Sequence, residues 1–447
     1  MRITKTLSAS NDPILVITIH PGGVPPRYMV GTLLHVLYDH RSRDVLNIPC
    51  LSLLNQLSEY TMAQSSLPSL PLEIFEMICD ELPTPDLAAL VGTCCHTYHR
   101  TIHRFAQRYV EVYLDFSDTS LNHLHAISQN HIMRQYVQRL VVMAPEPYLG
   151  RDRPWHRTAA GHLRNPRDIS SIRRFRDDLV HRLVNCRSFI ISPIPSPEPE
   201  PSETEPSRDD HLVPDDVAYI LWDIIADASL PIKLFWYGKG MNYTSETMDI
   251  KRLPKHLIGN AGFRASWMQL ENLHLEHELT PYNFSFLLDL ILHGPALRKL
   301  YLSLGPSDLA MEFFAELARS ETLPGMLERL TLAFTTIQAD DLLRILCASR
   351  LSLRRLDLSG VTGLSTGWLA VLSSLLGEFP HLETIELDTL YGGEGVTLST
   401  ATTCGLSQKG FGRGRGSLEE MGMKLVDLTS QGGMLDLSKM QGTGLTI

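Results

Sequence analysis

Apolar residues in the C-terminal half of the chain return with a fixed internal spacing. Leu270-Leu273-Leu275 sets the pattern. It recurs at Leu297-Leu300-Leu302, Leu327-Leu330-Leu332 and Leu353-Leu356-Leu358, and Leu382-Ile385-Leu387 continues it. Successive copies are offset by 27, 30, 26 and 29 residues. Within each copy the apolar positions alternate with polar ones, the period of a strand buried on one face. The intervening segments change to helical periodicity. Their apolar stripes are Phe284, Leu287, Leu288 and Ile291, then Leu309, Phe313 and Leu317, then Leu342, Ile345 and Leu346, then Trp368, Val371, Leu372 and Leu375. The pattern predicts an α/β fold with one strand and one helix per unit. A single unit cannot bury its own apolar face, whereas stacked units share a continuous core. Weaker copies stand earlier, at Val137-Leu140-Val142, Cys186-Phe189-Ile191 and Ile232-Phe235-Tyr237. They either carry the array towards the N-terminus or belong to a separate α/β layer.

A different pattern occupies Leu70 to Leu90. Ile74, Ile78 and Leu82 recur every four residues along one helical face. Pro83-Thr84-Pro85 stops that helix, and a second begins with Thr84 as its cap and Pro85 at its first position. Asp86-Leu87 and Leu90 follow. This stretch resembles the F-box, the three-helix module by which substrate receptors dock onto the Skp adaptor of cullin-based ubiquitin ligases. The resemblance covers residues 67–116. It departs from the family in the third helix, where Thr93-Cys94-Cys95-His96-Thr97-Tyr98 places Tyr98 at the usual aromatic, often Trp, position. It implies that Leu70, Pro71, Ile74, Ile78, Leu82, Leu87 and Leu90 lie at or near the adaptor contact, some of them also holding the module's own core. The C-terminal pattern resembles leucine-rich repeats at the long end of their range. Together the two resemblances describe an irregular leucine-rich-repeat solenoid, at residues 117–391, behind an F-box, similar to the diverse receptors common in fungi.

Composition narrows the picture. The chain has 447 residues, enough for two or three domains, and 43% hydrophobic content. No apolar run is long enough to cross a bilayer, so no membrane association is expected. The run Ile14–Ile19 follows Asp12, against a secretory signal. Seven cysteines in this length fit reduced thiols in cytoplasm or nucleus. A net charge of −10 argues against wholesale nucleic-acid binding. Residues 151–187 nevertheless hold ten Arg and four Asp, while residues 198–216 hold eight acids and one Arg; the two stretches pair loosely or stay solvated. Residues 192–210, rich in Pro, Glu and Ser, predict a disordered acidic loop, in which Ser192 and Ser196 precede prolines and offer phosphorylation sites. Residues 1–66 carry no usable motif, and Met62 is an alternative natural start. Residues 392–447, rich in Gly, Ser and Thr, predict a disordered tail.

Candidate chemistry is sparse. There is no Gly-x-Ser-x-Gly, no phosphate-binding Gly-x-x-x-x-Gly-Lys and no His-Glu-x-x-His. Asp340-Asp341 falls where a helix should start and suits its dipole. His96, His99 and His103 beside Cys94 and Cys95 lack the spacing of a zinc site, so neither metal nor cofactor is expected. The expectation is a non-catalytic receptor: the F-box binds the Skp adaptor and through it cullin, and the repeats bind a substrate protein for ubiquitin-dependent degradation. Residues flanking the strand leucines would form the substrate face, with His274, Tyr301, Arg329, Arg355, Asp357 and Glu386 as candidates. Two alternatives remain open: an adaptor-binding scaffold without a ligase role, and a nucleic-acid-associated repeat protein acting through Arg173, Arg174 and Arg176.

Overall fold

The computed structural model describes residues 2–7, 13–18, 70–143, 149–152, 154–158, 161–192, 212–238, 257–362, 371, 374–375, 378–388, 390–391, 397–398 and 402–405. The Met62 start, Ser196 and nearly all of the acidic loop lie outside these residues. At the N-terminus, β1 (Arg2–Leu7) and β2 (Pro13–Thr18) pair antiparallel, Arg2 opposite Thr18. The chain divides into two units: Met1–Val110 with His131–Tyr136, and Glu111–Asn130 with Val137–Ile447.

The first unit is helical. Its main helices are α1 (Leu72–Glu81), α2 (Thr84–Val91) and α3 (Cys95–Gln107). Helix α2 starts one residue earlier than expected, at Thr84. Pro83 precedes it, and no side chain caps it, because Thr84 has become part of the helix. Two helices follow in the chain, α4 (Asp118–Gln129) and α5 (Met133–Tyr136). Helix α5 belongs to the helical unit, where Tyr136 Oη lies 3.0 Å from His103 Nδ1. The unit's core is Phe75, Cys79, Leu82, Leu87 and Leu90, with Leu70, Ile78 and Phe105 packed against it. The inward face of α1 is therefore centred on Phe75, Cys79 and Leu82, one position round from Ile74 and Ile78.

Three arginines at four-residue intervals on α3 clamp α1. Arg100 donates to Leu70 O at 2.9 Å and stacks its guanidinium 4.3 Å from the Phe75 ring centre. Arg104 pairs with Glu76 at 3.0 Å and Asp80 at 3.6 Å. Arg108 donates to Asp80 O at 2.7 Å and Leu82 O at 3.3 Å, meeting carbonyls that the end of α1 leaves without intrahelical donors. The partners advance along α1 as the arginines advance along α3, so the two helices run parallel.

The second unit is α/β. Among the described residues, nine strands run parallel and pair in chain order. They are β3 (Glu111–Leu114), β4 (Arg139–Val142), β5 (Ser188–Ile191), β6 (Leu234–Gly238), β7 (Asn272–Glu276), β8 (Lys299–Gly305), β9 (Arg329–Thr336), β10 (Arg355–Thr362) and β11 (Thr384–Asp388). The three weak sequence copies become β4, β5 and β6 of this same sheet, in register with the later strands. Within the stretch expected to end at residue 116, Glu111–Leu114 forms the first strand of this sheet. Two short strands, β13 (Thr397–Leu398) and β14 (Thr402–Gly405), lie in the segment expected to be without structure. They pair antiparallel with β12 (Leu390–Tyr391) and β11 respectively.

Connecting helices are α4, α6 (Ser170–His181), α7 (Pro214–Ala228), α8 (Ala261–Trp267), α9 (Phe284–Leu292), α10 (Asp308–Arg319) and α11 (Ala339–Ala348). Ser117, Asn260 and Ser307 cap α4, α8 and α10, and Asp340 and Asp341 stand in the first turn of α11. One face of the sheet carries the core row Leu140, Phe189, Phe235, Leu273, Leu300, Leu330, Leu356 and Ile385. Against it Trp222 meets Phe235 at 5.4 Å and Phe286 at 5.5 Å, and Phe263 stacks on Trp267 at 4.9 Å. Helix α7 is buried on nearly every side. At its start the Arg157–Asp216 ion pair, 2.6 Å, is 7% and 1% exposed.

The residue preceding each later strand joins a ladder of alternating charge. Lys233 pairs with Glu271 at 3.3 Å, Arg298 with Glu328 at 3.1 Å and Arg354 with Glu383 at 3.2 Å. Cys79, Cys94, Cys95, Cys186 and Cys347 are unpaired thiols. No helix among the described residues is long and apolar enough to cross a membrane.

Candidate functional site

On strands β6 to β8 the residues between the core positions are only half-buried, which leaves one sheet face open. Register lines up Trp236, His274 and Tyr301 across it. Their rings form one stack. Trp236 and His274 lie 4.0 Å apart at 22°, and His274 and Tyr301 lie 3.7 Å apart at 5°. Aromatic residues on adjacent strands meet this way because cross-strand neighbours are close enough for their rings to touch.

Glu276 sits two residues beyond His274 on the same face. His274 Nε2 donates to Glu276 Oε1 at 2.6 Å, since a carboxylate can only accept. Gly238 is the register partner of Glu276, and a Cβ there would fall 2.4 Å from Glu276 Cβ. The glycine gives the carboxylate its place. Burial pushes the His274 imidazole below its ordinary range against the pull of Glu276. Burial, then the Glu276 charge, pushes the Tyr301 phenol up. The Trp236 indole nitrogen is sealed from solvent without an acceptor among the described residues.

Next to the stack lies a charged network. Asp357, 7% exposed, receives Arg329 Nε at 2.8 Å, Arg355 Nε at 2.8 Å and the Thr331 hydroxyl at 3.0 Å. Arg355 also reaches Glu386 at 2.7 Å. The hydrogen bond to Asp357 raises the Arg355 guanidinium further above its ordinary value. Arg329, Arg355, Asp357 and Glu386 are thus brought together and committed largely to one another. His274 and Tyr301 join Trp236, which sequence reasoning passed over. It counted Ile232, Phe235 and Tyr237 as core positions, and the same rule makes Trp236 a face residue.

The helical unit has its own surface. Pro71 is exposed, Leu72 is 51% and Met77 45% exposed, and Leu70, Ile74 and Ile78 are half-buried. Of the residues expected at or near the adaptor contact, some of them also holding the module's own core, Leu82, Leu87 and Leu90 lie in that core with Phe75 and Cys79.

Four arginines of the arginine-rich segment, Arg157, Arg167, Arg176 and Arg182, pair with acids on helices. Arg167 binds Asp223 at 2.5 Å and Asp227 at 3.2 Å, Arg176 also binds Asp227, and Arg182 binds Asp178. Arg174 donates to Asn122. Comparison with protein-family models and with curated proteins finds no match.

Proposed function

We propose that the chain is an F-box protein with an irregular leucine-rich-repeat domain, and that it serves as the substrate-recognition subunit of a Skp–cullin–F-box ubiquitin ligase in cytoplasm or nucleus. The observation that carries this reading is the second apolar stripe of α1. A helix whose core face is already filled by Phe75, Cys79 and Leu82 would not keep Pro71, Leu72, Ile74 and Met77 facing outward for its own stability. An adaptor groove would cover them. Support also comes from the Leu70-Pro71 opening and from the sheet, whose strand-plus-helix units pair strictly in chain order as repeat units do.

In this reading the chain supplies no catalytic group. It raises the local concentration of a substrate lysine beside a ubiquitin thioester carried by the ligase. The test is retention on purified Skp adaptor. Met77→Glu leaves the core untouched and should weaken binding at least tenfold, while Leu351→Glu, also exposed but in the sheet unit, should not. Failure of the folded wild-type chain to bind would overturn the reading.

A further inference from the structure

The rim where the chain turns into each strand repeats as regularly as the strands do. From β6 to β11 the residue just before each strand is bonded to its counterpart in the next unit. The Glu271 N–H donates to Lys233 O, Arg298 to Glu271, Glu328 to Arg298, Arg354 to Glu328 and Glu383 to Arg354, at 2.7–2.9 Å. These residues form one row, and from Lys233 to Glu383 their charges alternate strictly in sign. The alternation begins at Lys233, because Arg187, just before β5, is also positive. The turns beside this row carry apolar side chains. Met268, Met326 and Leu351 are each more than half exposed, and Pro295 is exposed between the first two. Ser349 Oγ donates to Pro324 O and Ser352 Oγ to Leu327 O, both at 2.9 Å, which ties the Leu351 turn to the Met326 turn. One exposed apolar residue alone needs no explanation, but one on each of four successive turns makes a strip.

An alternating row of even length is complementary to itself. Turned about a two-fold axis between Arg298 and Glu328, it sets Lys233 of one copy against Glu383 of the other, Glu271 against Arg354 and Arg298 against Glu328. Every contact is between opposite charges. The same rotation lays the Met268 turn against the Leu351 turn and the Pro295 turn against the Met326 turn, apolar on apolar. We propose that this rim is the interface of a homodimer, isologous about that axis. Lys233–Glu271, Arg298–Glu328 and Arg354–Glu383 are already paired within one chain, so docking buries no lone charge; each pair meets a pair in reverse order. Strands about 4.8 Å apart make the row about 24 Å long. A strip of that length covers less than the about 800 Å² that a standard interface takes from each partner, so the dimer is weak and concentration-dependent. The inference is independent of the receptor reading above.

The full chain is followed by sedimentation velocity up to about 1 mM. The expected result is a reversible rise from monomer towards dimer with concentration. Met326→Glu should weaken self-association about tenfold or more, while Met143→Glu, exposed at the other end of the strands, should leave it unchanged. The deciding variant exchanges Arg298→Glu with Glu328→Arg. It keeps the pair along the row and stays complementary to itself, but it sets like charges against the wild type at the two central contacts. It should therefore dimerise with itself as the wild type does, and bind fluorescently labelled wild-type chain about tenfold or more weakly. Adaptor retention is read at concentrations below the dimerisation range, where Leu351→Glu leaves it unchanged. A wild-type chain that stays monomeric throughout, a dimer indifferent to Met326→Glu, or an exchanged chain that fails to pair with itself or mixes freely with the wild type overturns the proposal.

Discussion

Arg157→Ala should be among the most damaging single substitutions in the sheet unit. Arg157 makes a two-pronged contact with Asp216, Nη1 to Oδ1 at 2.9 Å and Nη2 to Oδ2 at 2.6 Å, and also donates to Gly161 O at 3.1 Å. Asp216 in turn accepts from the Val213 N–H at 3.0 Å, at the start of α7. With the arginine gone, a carboxylate 1% exposed loses the guanidinium that grips both its oxygens, at a cost of about 3–5 kcal/mol. That is a large share of the total for a domain of marginal stability. Arg157→Lys keeps the charge but not the fork, and should cost about 1–2 kcal/mol. Arg157→Met with Asp216→Leu removes both charges and loses the contacts to the Val213 N–H and to Gly161 O, worth about 1 kcal/mol each. The double variant should therefore be more stable than Arg157→Ala alone. Urea unfolding followed by tryptophan fluorescence reads this unit selectively, because every tryptophan of the chain lies within it. If Arg157→Ala costs under about 1 kcal/mol, or the double variant is the worse of the two, the buried pair is not holding α7 as argued.

Four further outcomes follow from local geometry. Gly262→Ala would put a Cβ 2.1 Å from the Ala226 carbonyl oxygen, pushing α8 off α7; a loss of about 2–3 kcal/mol, seen as a melting-temperature drop of roughly 5–10 °C by scanning calorimetry, is expected. Phe334, 47% exposed at φ 44°, occupies a backbone region unfavourable to bulky residues, so Phe334→Gly should raise the urea midpoint by about 1 kcal/mol of stability. Gly360→Ala, at φ 62° with its new Cβ 2.8 Å from the Phe334 ring, should lower it. His274 faces Glu276 on its own strand and Tyr301 on the next, and its pKa is depressed in the folded state. Its contribution is complete above the unfolded value of about 6.5 and is lost as pH falls through the lower folded value. Unfolding free energy should decline over that window and decline less in His274→Gln.

The strands of the C-terminal half were legible because their side chains obey a single rule, apolar at every core position, from Leu273 to Ile385. Fold information ran out where that rule met other demands. Glu111–Leu114 was hidden because Tyr109 takes the leucine place three residues before Val112, and the run was absorbed into the helical motif. On α1 the period pointed to Ile74, Ile78 and Leu82, yet Phe75 and Cys79 are the deeper residues. Helical spacing fixes that a stripe exists, and the rotation of the helix against α2 and α3 decides which of two adjacent stripes goes inside. The arginines at 100, 104 and 108 gave no such signal, since their role depends on the carbonyls and carboxylates of another helix. At the site, His274, Tyr301, Arg329, Arg355, Asp357 and Glu386 could be placed on one face by counting. That Glu276 and Gly238 form a matched pair depends on register between strands 38 residues apart, which no local pattern carries.

Pairing each strand only with its neighbours in the chain has a kinetic consequence. Every long-range contact in the parallel sheet closes a loop about as long as one strand-plus-helix unit, so no step must wait for distant ends to meet. The sheet can extend one strand at a time as the chain emerges during synthesis, each new unit adding to an edge already formed. A destabilised unit would interrupt that growth at its own position, leaving the units made before it able to assemble.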